Sequence, residues 1–517
     1  MSIIPAAAEQ NAPPDPHLWL EEVAGEKPLA WVRERNARCV AALGETPEFK
    51  TLETRILSIL DSKEKIPFVT KIGDRFYNFW RDAANPKGVW RRTTLDEYRK
   101  PQPAWETVLD VDALAKAEGE NWVWHGATVL EPEDRLCLVS LSRGGADADV
   151  IREFDLETKA FVPKGFALPE AKSRVTWRSR DSLFVATDFG PGSLTTSGYP
   201  RTVRAWARGG DLAGAPLVYE GRESDMAVGA YHDSTPDFER DFVYRQITFW
   251  TNELFLWRDG KLVKIEKPDD ANASVHREWL LVELRSPWTV GGTTHPAGSL
   301  LAADFEKFLA GDRTLHVLFA PTPRTSLVAF AGTRNHLLLT TLDNVRSRVE
   351  VLTYRDGAWR RAPLPGVPEA GTASVSAVDD IEADEYFLIT SSPVTPSTLG
   401  LGTAGDGREP ERLKASPAFF DADGVSVQQF EAVSKDGTRI PYFQIAKGFR
   451  PCGHKPTLLY GYGGFEIPLV PGYDPVSGAA WLEKGHVLVI ANIRGGGEFG
   501  PAWHQAALKE KRPRAYE

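Results

Sequence analysis

The sequence predicts a seven-bladed β-propeller with a helical segment before it and the opening of an α/β domain after it. Three observations carry that prediction. Apolar residues change from helix-like spacing to period two near Gly73. Short strand candidates then recur every ~50 residues as far as Asp421, a period that suits antiparallel propeller blades. From Val425 the pattern changes again, to near-continuous apolar strands and a strand, glycine turn and helix in succession.

The helical segment is assigned to residues 1–70. Its leader, with Pro5, Glu9, Pro13, Pro14 and Asp15, lacks a basic start followed by an apolar run, so no secretory signal is expected. Trp19, Leu20 and Val23, then Leu29, Trp31 and Val32, then Phe49, Leu52, Ile56 and Ile59 fall at helical spacings.

The propeller is assigned to residues 71–424. Seven strand-rich units begin near residues 73, 135, 181, 241, 278, 335 and 385. Asp259-Gly260 and Asp356-Gly357 supply hairpin turn signals inside them. A sandwich cannot easily absorb so long a run of hairpins. The aromatic supply, 16 Trp and 25 Phe, suits the filling of gaps between packed sheets.

The α/β part is assigned to residues 425–517. Residues 426–433 and 440–446 form a hairpin around Lys435-Asp-Gly-Thr438. Residues 457–460 and 486–491 read as strands covered on both faces, and residues 501–511 as a helix with proline at its start.

Composition excludes several functions. Net charge is −10 with basic residues scattered, so the footprint of nucleic-acid binding is missing. Cys39, Cys137 and Cys452 are far apart with no C-x-x-C, which points to a reducing compartment and to neither a zinc site nor a disulfide framework. No run of eighteen apolar residues suggests a membrane span. A cytoplasmic location is expected. No H-x-x-x-H pair suggests a metal, and no cofactor is expected.

Two motifs carry chemistry. Gly495-Gly-Gly-Glu-Phe-Gly500 satisfies G-x-G-x-x-G between a strand and a helix, so a dinucleotide-binding turn must be weighed. The acidic residue at the end of a second strand that such a turn requires is missing, and a tight crossover using glycines for positive φ is the simpler reading. Tyr460-Gly-Tyr-Gly-Gly-Phe465 ends the other apolar strand, where α/β sheets place their functional groups. A tyrosine hydroxyl there could stabilise the anionic oxygen of a tetrahedral intermediate, although a buried tyrosine with a satisfied hydroxyl is the competing reading. No G-x-S-x-G elbow occurs. Ser193 and Ser477 lie near glycines without strand-turn-helix context, and His486 and His504 read as structural.

With these motifs the chain resembles the prolyl oligopeptidase family of serine peptidases. Asp15-Pro16 with Trp19-Leu20-Glu21 and Trp31-Val32 is similar to the family's amino-terminal segment. Residues 187–193 and 197–201 are similar to its propeller, and residues 460–465 and 491–500 to the start of its hydrolase domain. The resemblance implies a seven-bladed propeller capping an α/β-hydrolase domain on which the amino-terminal segment packs. It implies hydrolysis of short peptides after proline, with the propeller gating access, and a monomeric full-length form. Carried over to this chain, Tyr462 is the side-chain donor of the oxyanion hole and Phe465 part of the apolar wall for the substrate's proline ring. The nucleophile, base and acid have no counterpart here, so the chain reads as truncated before its triad and inactive alone. The strand ending at Tyr460 is then expected to have a bare edge. Two other readings stay open: a non-catalytic peptide-binding propeller remnant, and a nucleotide-dependent enzyme using the glycine turn.

Overall fold

The computed structural model describes residues 15–22, 24–448 and 454–517. The leader residues Pro5, Glu9, Pro13 and Pro14, together with Val23 and Cys452, lie outside the described residues. The chain divides into two compact units, one as far as Asp61 and one from Ser62 to Glu517.

The first unit holds the helices Glu26–Cys39 and Pro47–Leu60. Thr46 starts the second helix by accepting the Phe49 N–H on its hydroxyl (3.2 Å), and Pro47 occupies the first turn, where its missing N–H has no cost.

The second unit opens with seven antiparallel sheets over residues 70–110, 122–171, 174–220, 227–264, 272–319, 325–363 and 372–415. Each pairs four strands side by side in chain order. The second carries a fifth strand, and the fifth an inserted hairpin of Trp288–Val290 and Thr293–His295. The Asp-Gly signals are hairpin turns with both central residues at positive φ: Asp259 52° and Gly260 71°, Asp356 54° and Gly357 77°. Aromatic rings fill the spaces between strands and neighbouring sheets, as where Trp90 meets Trp124 at 5.0 Å and Phe166 meets Trp206 at 4.9 Å.

Among the described residues no strand is exchanged between the first and seventh sheets. Side-chain contacts join them: Ile66, Phe76 and Tyr98 pack against Phe387, Leu399 and Leu413, flanked by the ion pairs Lys71–Asp379 (2.6 Å) and Arg99–Glu411 (3.0 Å) and by Lys414, which donates to the Lys100 carbonyl.

Residues 425–491 build an eighth sheet. Val425–Val433 pairs antiparallel with Arg439–Lys447, which pairs antiparallel with Val487–Ala491, and that strand runs parallel to Thr457–Tyr460. The hairpin turns at Gly437, at φ 84°. The expectation that residues 457–460 are covered on both faces needs correction. All four are exposed, Leu459 by 69%, because the strand is paired on one side only and nothing among the described residues covers it. The terminal helix is also shorter than expected, Pro501–Gln505, with a separate 3₁₀ turn at Lys509–Ala515. Leu508 is extended between them, and Lys509 takes a positive φ of 50°. Among the described residues no helix is long and apolar enough to cross a membrane.

Candidate active site

The two strands of the parallel pair deliver two loops to one end of the eighth sheet. Residues 461–466 leave Thr457–Tyr460, and residues 492–500 leave Val487–Ala491. Their glycines serve different needs. Gly495 and Gly500 adopt positive φ, 101° and 73°, which explains two of them as backbone turns. Gly497 is needed for space: a Cβ there would lie 2.9 Å from the Glu466 carbonyl carbon and 3.0 Å from Pro468 Cδ. The backbones of the two loops touch, leaving no cradle between them. The helix that follows is only five residues long, Pro501–Gln505, so it offers a phosphate little of the helix N-terminus that a dinucleotide turn relies on.

Buried polar groups hold the pair of loops. His504, almost fully buried on the terminal helix, has its Nδ1 2.6 Å from the Gly495 carbonyl and 3.0 Å from the Glu466 amide nitrogen. One hydrogen bond forms at a time, since a protonated Nδ1 donates to the carbonyl and a bare one accepts the amide proton. Burial holds the His504 pKa below its ordinary value, so the ring stays neutral. Glu498 accepts from the Leu469 N–H (2.9 Å) and the Asn492 amide, while its second oxygen is buried without a partner. Burial raises its pKa. Arg494, also buried, donates to Ser434 Oγ (2.7 Å) and the Arg514 carbonyl (2.7 Å), and pairs with Asp436 in the hairpin turn.

The same loops meet the propeller. Glu466 pairs with Arg285 at the end of a fifth-sheet strand, whose guanidinium lies 3.5 Å from the centroid of the Trp250 ring. Burial pushes the Glu466 carboxyl up and Arg285 opposes the shift. In the sixth sheet, Ser326 Oγ donates to the Glu498 carbonyl (2.9 Å). Trp250 also packs on His504, with ring centroids 5.1 Å apart.

Tyr462 and Phe465 sit on the open side of this arrangement. Tyr462 is 38% exposed, its ring rests over Gly464, and its hydroxyl has no partner among the described residues. The competing reading of a buried tyrosine with a satisfied hydroxyl therefore fails. Phe465 takes a positive φ of 53° and is 58% exposed, its ring 5.4 Å from Phe249 of the fourth propeller sheet. Phe249 and Trp250, consecutive residues on one turn, escaped the sequence reading because nothing along the chain links residue 249 to residue 465.

The serines near glycines are structural. Ser193 Oγ donates to the Gly190 carbonyl (2.7 Å) and accepts the Phe189 N–H, and Ser477 bonds Asp474 at a helix start. One Ser-His-Asp constellation does occur, across three strands of the second sheet. Ser142 Oγ is 3.0 Å from His125 Nε2, and His125 Nδ1 is 2.7 Å from Asp149. Ser142 has no exposed surface, so no substrate carbonyl can reach it. The trio is a polar cluster internal to a blade.

Residues 6–400 match the family model described as prolyl oligopeptidase, N-terminal beta-propeller domain. The chain is 39% identical over 515 residues to an uncharacterized peptidase of Sinorhizobium fredii, covering 97% of this chain and 70% of that one. It is 25% identical over 536 residues to a prolyl endopeptidase of Elizabethkingia miricola, covering 98% and 69%. Among solved structures, a post-proline cleaving enzyme from Rickettsia typhi is 31% identical with a TM-score of 0.89, covering 96% of this chain and 74% of that one.

Proposed function

The chain belongs to the prolyl oligopeptidase family, and from that premise we propose that it provides the substrate-facing wall of a serine peptidase that cleaves short peptides after proline. The observation that carries the reading is the free, exposed Tyr462 hydroxyl in the loop that leaves a parallel strand, a loop that also carries Phe465 with its ring against Phe249.

In this reading the substrate's proline ring lies against Phe465, and its scissile carbonyl points to Tyr462. As a serine oxygen adds to that carbonyl, negative charge gathers on the carbonyl oxygen, and the Tyr462 O–H donates to it more strongly than to the uncharged substrate. Glu466 and His504 act through position: they hold the backbone from which Tyr462 and Phe465 project. The ring of seven sheets limits access to short peptides, and the Arg285–Glu466 and Ser326–Glu498 contacts that fix it against the wall support that role. The serine, aspartate and histidine of the chemistry are assigned to none of these 517 residues, and the 517-residue chain by itself is inactive.

The test joins these residues to the part of the Rickettsia typhi enzyme that this chain does not cover and assays a fluorogenic peptide with proline before the scissile bond. Tyr462→Phe should lower kcat by about two to three orders of magnitude with KM little changed. An unchanged kcat would remove Tyr462 from the role.

A further inference from the structure

A cavity of about 600 Å³ opens between the fifth and sixth propeller sheets, far along the fold from Tyr462. It is lined by the turns that join Asn272–His276 to Trp279–Glu283, Thr325–Gly332 to Leu337–Asp343, and Arg346–Arg355 to Ala358–Pro363. In an antiparallel sheet the next turn, at Asn344, lies at the opposite end. There the Asn344 carbonyl accepts from Gln429 of the eighth sheet (2.9 Å). The cavity therefore faces away from the candidate active site.

Its lining is cationic in a chain of net charge −10. Arg277, Arg334 and Arg355 all contribute, and Glu278 is the only carboxylate among the lining residues. None of the three arginines has an ion-pair partner among the described residues. Arg277 stacks over Phe238 (5.0 Å to the centroid), and Arg334 Nη1 donates to the Glu382 carbonyl (3.3 Å). Guanidinium groups do not lose their protons in proteins, so three of them in a lining whose one carboxylate is Glu278, with Asp384 behind it on Asn335 (2.8 Å), leave a positive excess that an anion would balance. Trp359, also in the lining, has an indole N–H that is buried with no acceptor. Three guanidinium groups without ion-pair partners, lining one cavity, are a set that an acceptor-rich anion would complete.

We propose that this cavity binds a small molecule bearing a phosphate or diphosphate group, held by Arg277, Arg334 and Arg355. Guanidinium forks match phosphate oxygens in pairs, and the volume is that of a small-molecule site. Trp279, buried against Trp359 (ring centroids 5.0 Å), forms part of its wall, and half-exposed Tyr354 offers a flat apolar surface for the rest of the ligand.

The test is calorimetric titration of the 517-residue chain with inorganic pyrophosphate, the charged part of such a ligand. Saturable binding is expected, weakened at least ~10-fold in R334Q/R355Q, two exposed positions whose loss leaves the fold intact. Arg360→Gln, on the neighbouring strand and paired with Asp356, should bind as the parent does. No saturable heat up to about 10 mM pyrophosphate, or equal affinity in the double variant, overturns the proposal. A glutamate decapeptide that binds more tightly than pyrophosphate overturns it too, in favour of an acidic polypeptide.

Discussion

Replacing Gly497 by alanine tests whether the wall owes its shape to backbone contact between the two loops. Gly497 is not at positive φ, so alanine brings no conformational strain and only the added methyl matters. That methyl would lie 2.9 Å from the Glu466 carbonyl carbon and 3.0 Å from Pro468 Cδ, with backbone or ring atoms on both sides and no flexible side chain to yield. Overpacking of this kind costs about 1–3 kcal/mol, which converts to a roughly 5- to 150-fold increase in the population of the opened loops. Native-state hydrogen exchange read by mass spectrometry on peptides spanning residues 461–468 and 492–500 should show that acceleration. Gly464→Ala is the control: its methyl would meet the tip of the Tyr462 ring at 3.3 Å, a side chain that can move. The reasoning is refuted if Gly497→Ala speeds exchange no more than Gly464→Ala does.

Three further outcomes follow from named contacts. Arg285→Met should destabilise by roughly 2–4 kcal/mol, because it leaves the mostly buried Glu466 carboxyl without its partner, while R285M/E466M should recover much of the loss; additive costs in a double-mutant unfolding cycle would contradict the pairing. The Glu498 carboxyl has its pKa raised by burial, so the folded state holds a proton that the unfolded chain releases near pH ~4.3. Its stabilising contribution is thus complete below that pH and is lost as pH rises through the folded value. Glu498→Gln, which cannot ionise, should melt increasingly above the parent over that window, and parallel melting profiles would sink the assignment. Tyr98→Phe removes the hydroxyl that donates to the Pro67 carbonyl (2.9 Å) where the first and seventh sheets meet. It should cost about 1–2 kcal/mol in urea unfolding, and no measurable change would mean that the bond contributes nothing to holding Tyr98 in that core.

Much of the architecture was legible because it is written in local signals. Period-two runs and Asp-Gly turns marked seven blades, and an apolar run ending in Tyr460-Gly-Tyr-Gly-Gly-Phe465 marked the end of a strand where a site could sit. Contacts between distant segments left no such trace. Arg285 with Glu466, Phe249 with Phe465 and Ser326 with Glu498 exist only once the propeller is folded against the eighth sheet. The exposure of Leu459 was hidden for a related reason: an apolar sequence shows that a strand suits burial, but not whether anything covers it. Gly497 could not be told from Gly495 by sequence either, since one glycine serves contact and the other φ.

We propose that Tyr462 and Phe465 form an oxyanion-donating wall and that none of these 517 residues serves as its nucleophile. Incubation of the purified chain with a fluorophosphonate probe, followed by peptide mapping, tests it most directly. The account predicts no stoichiometric label, at Ser142 or at any other serine. A single serine labelled to completion would contradict it.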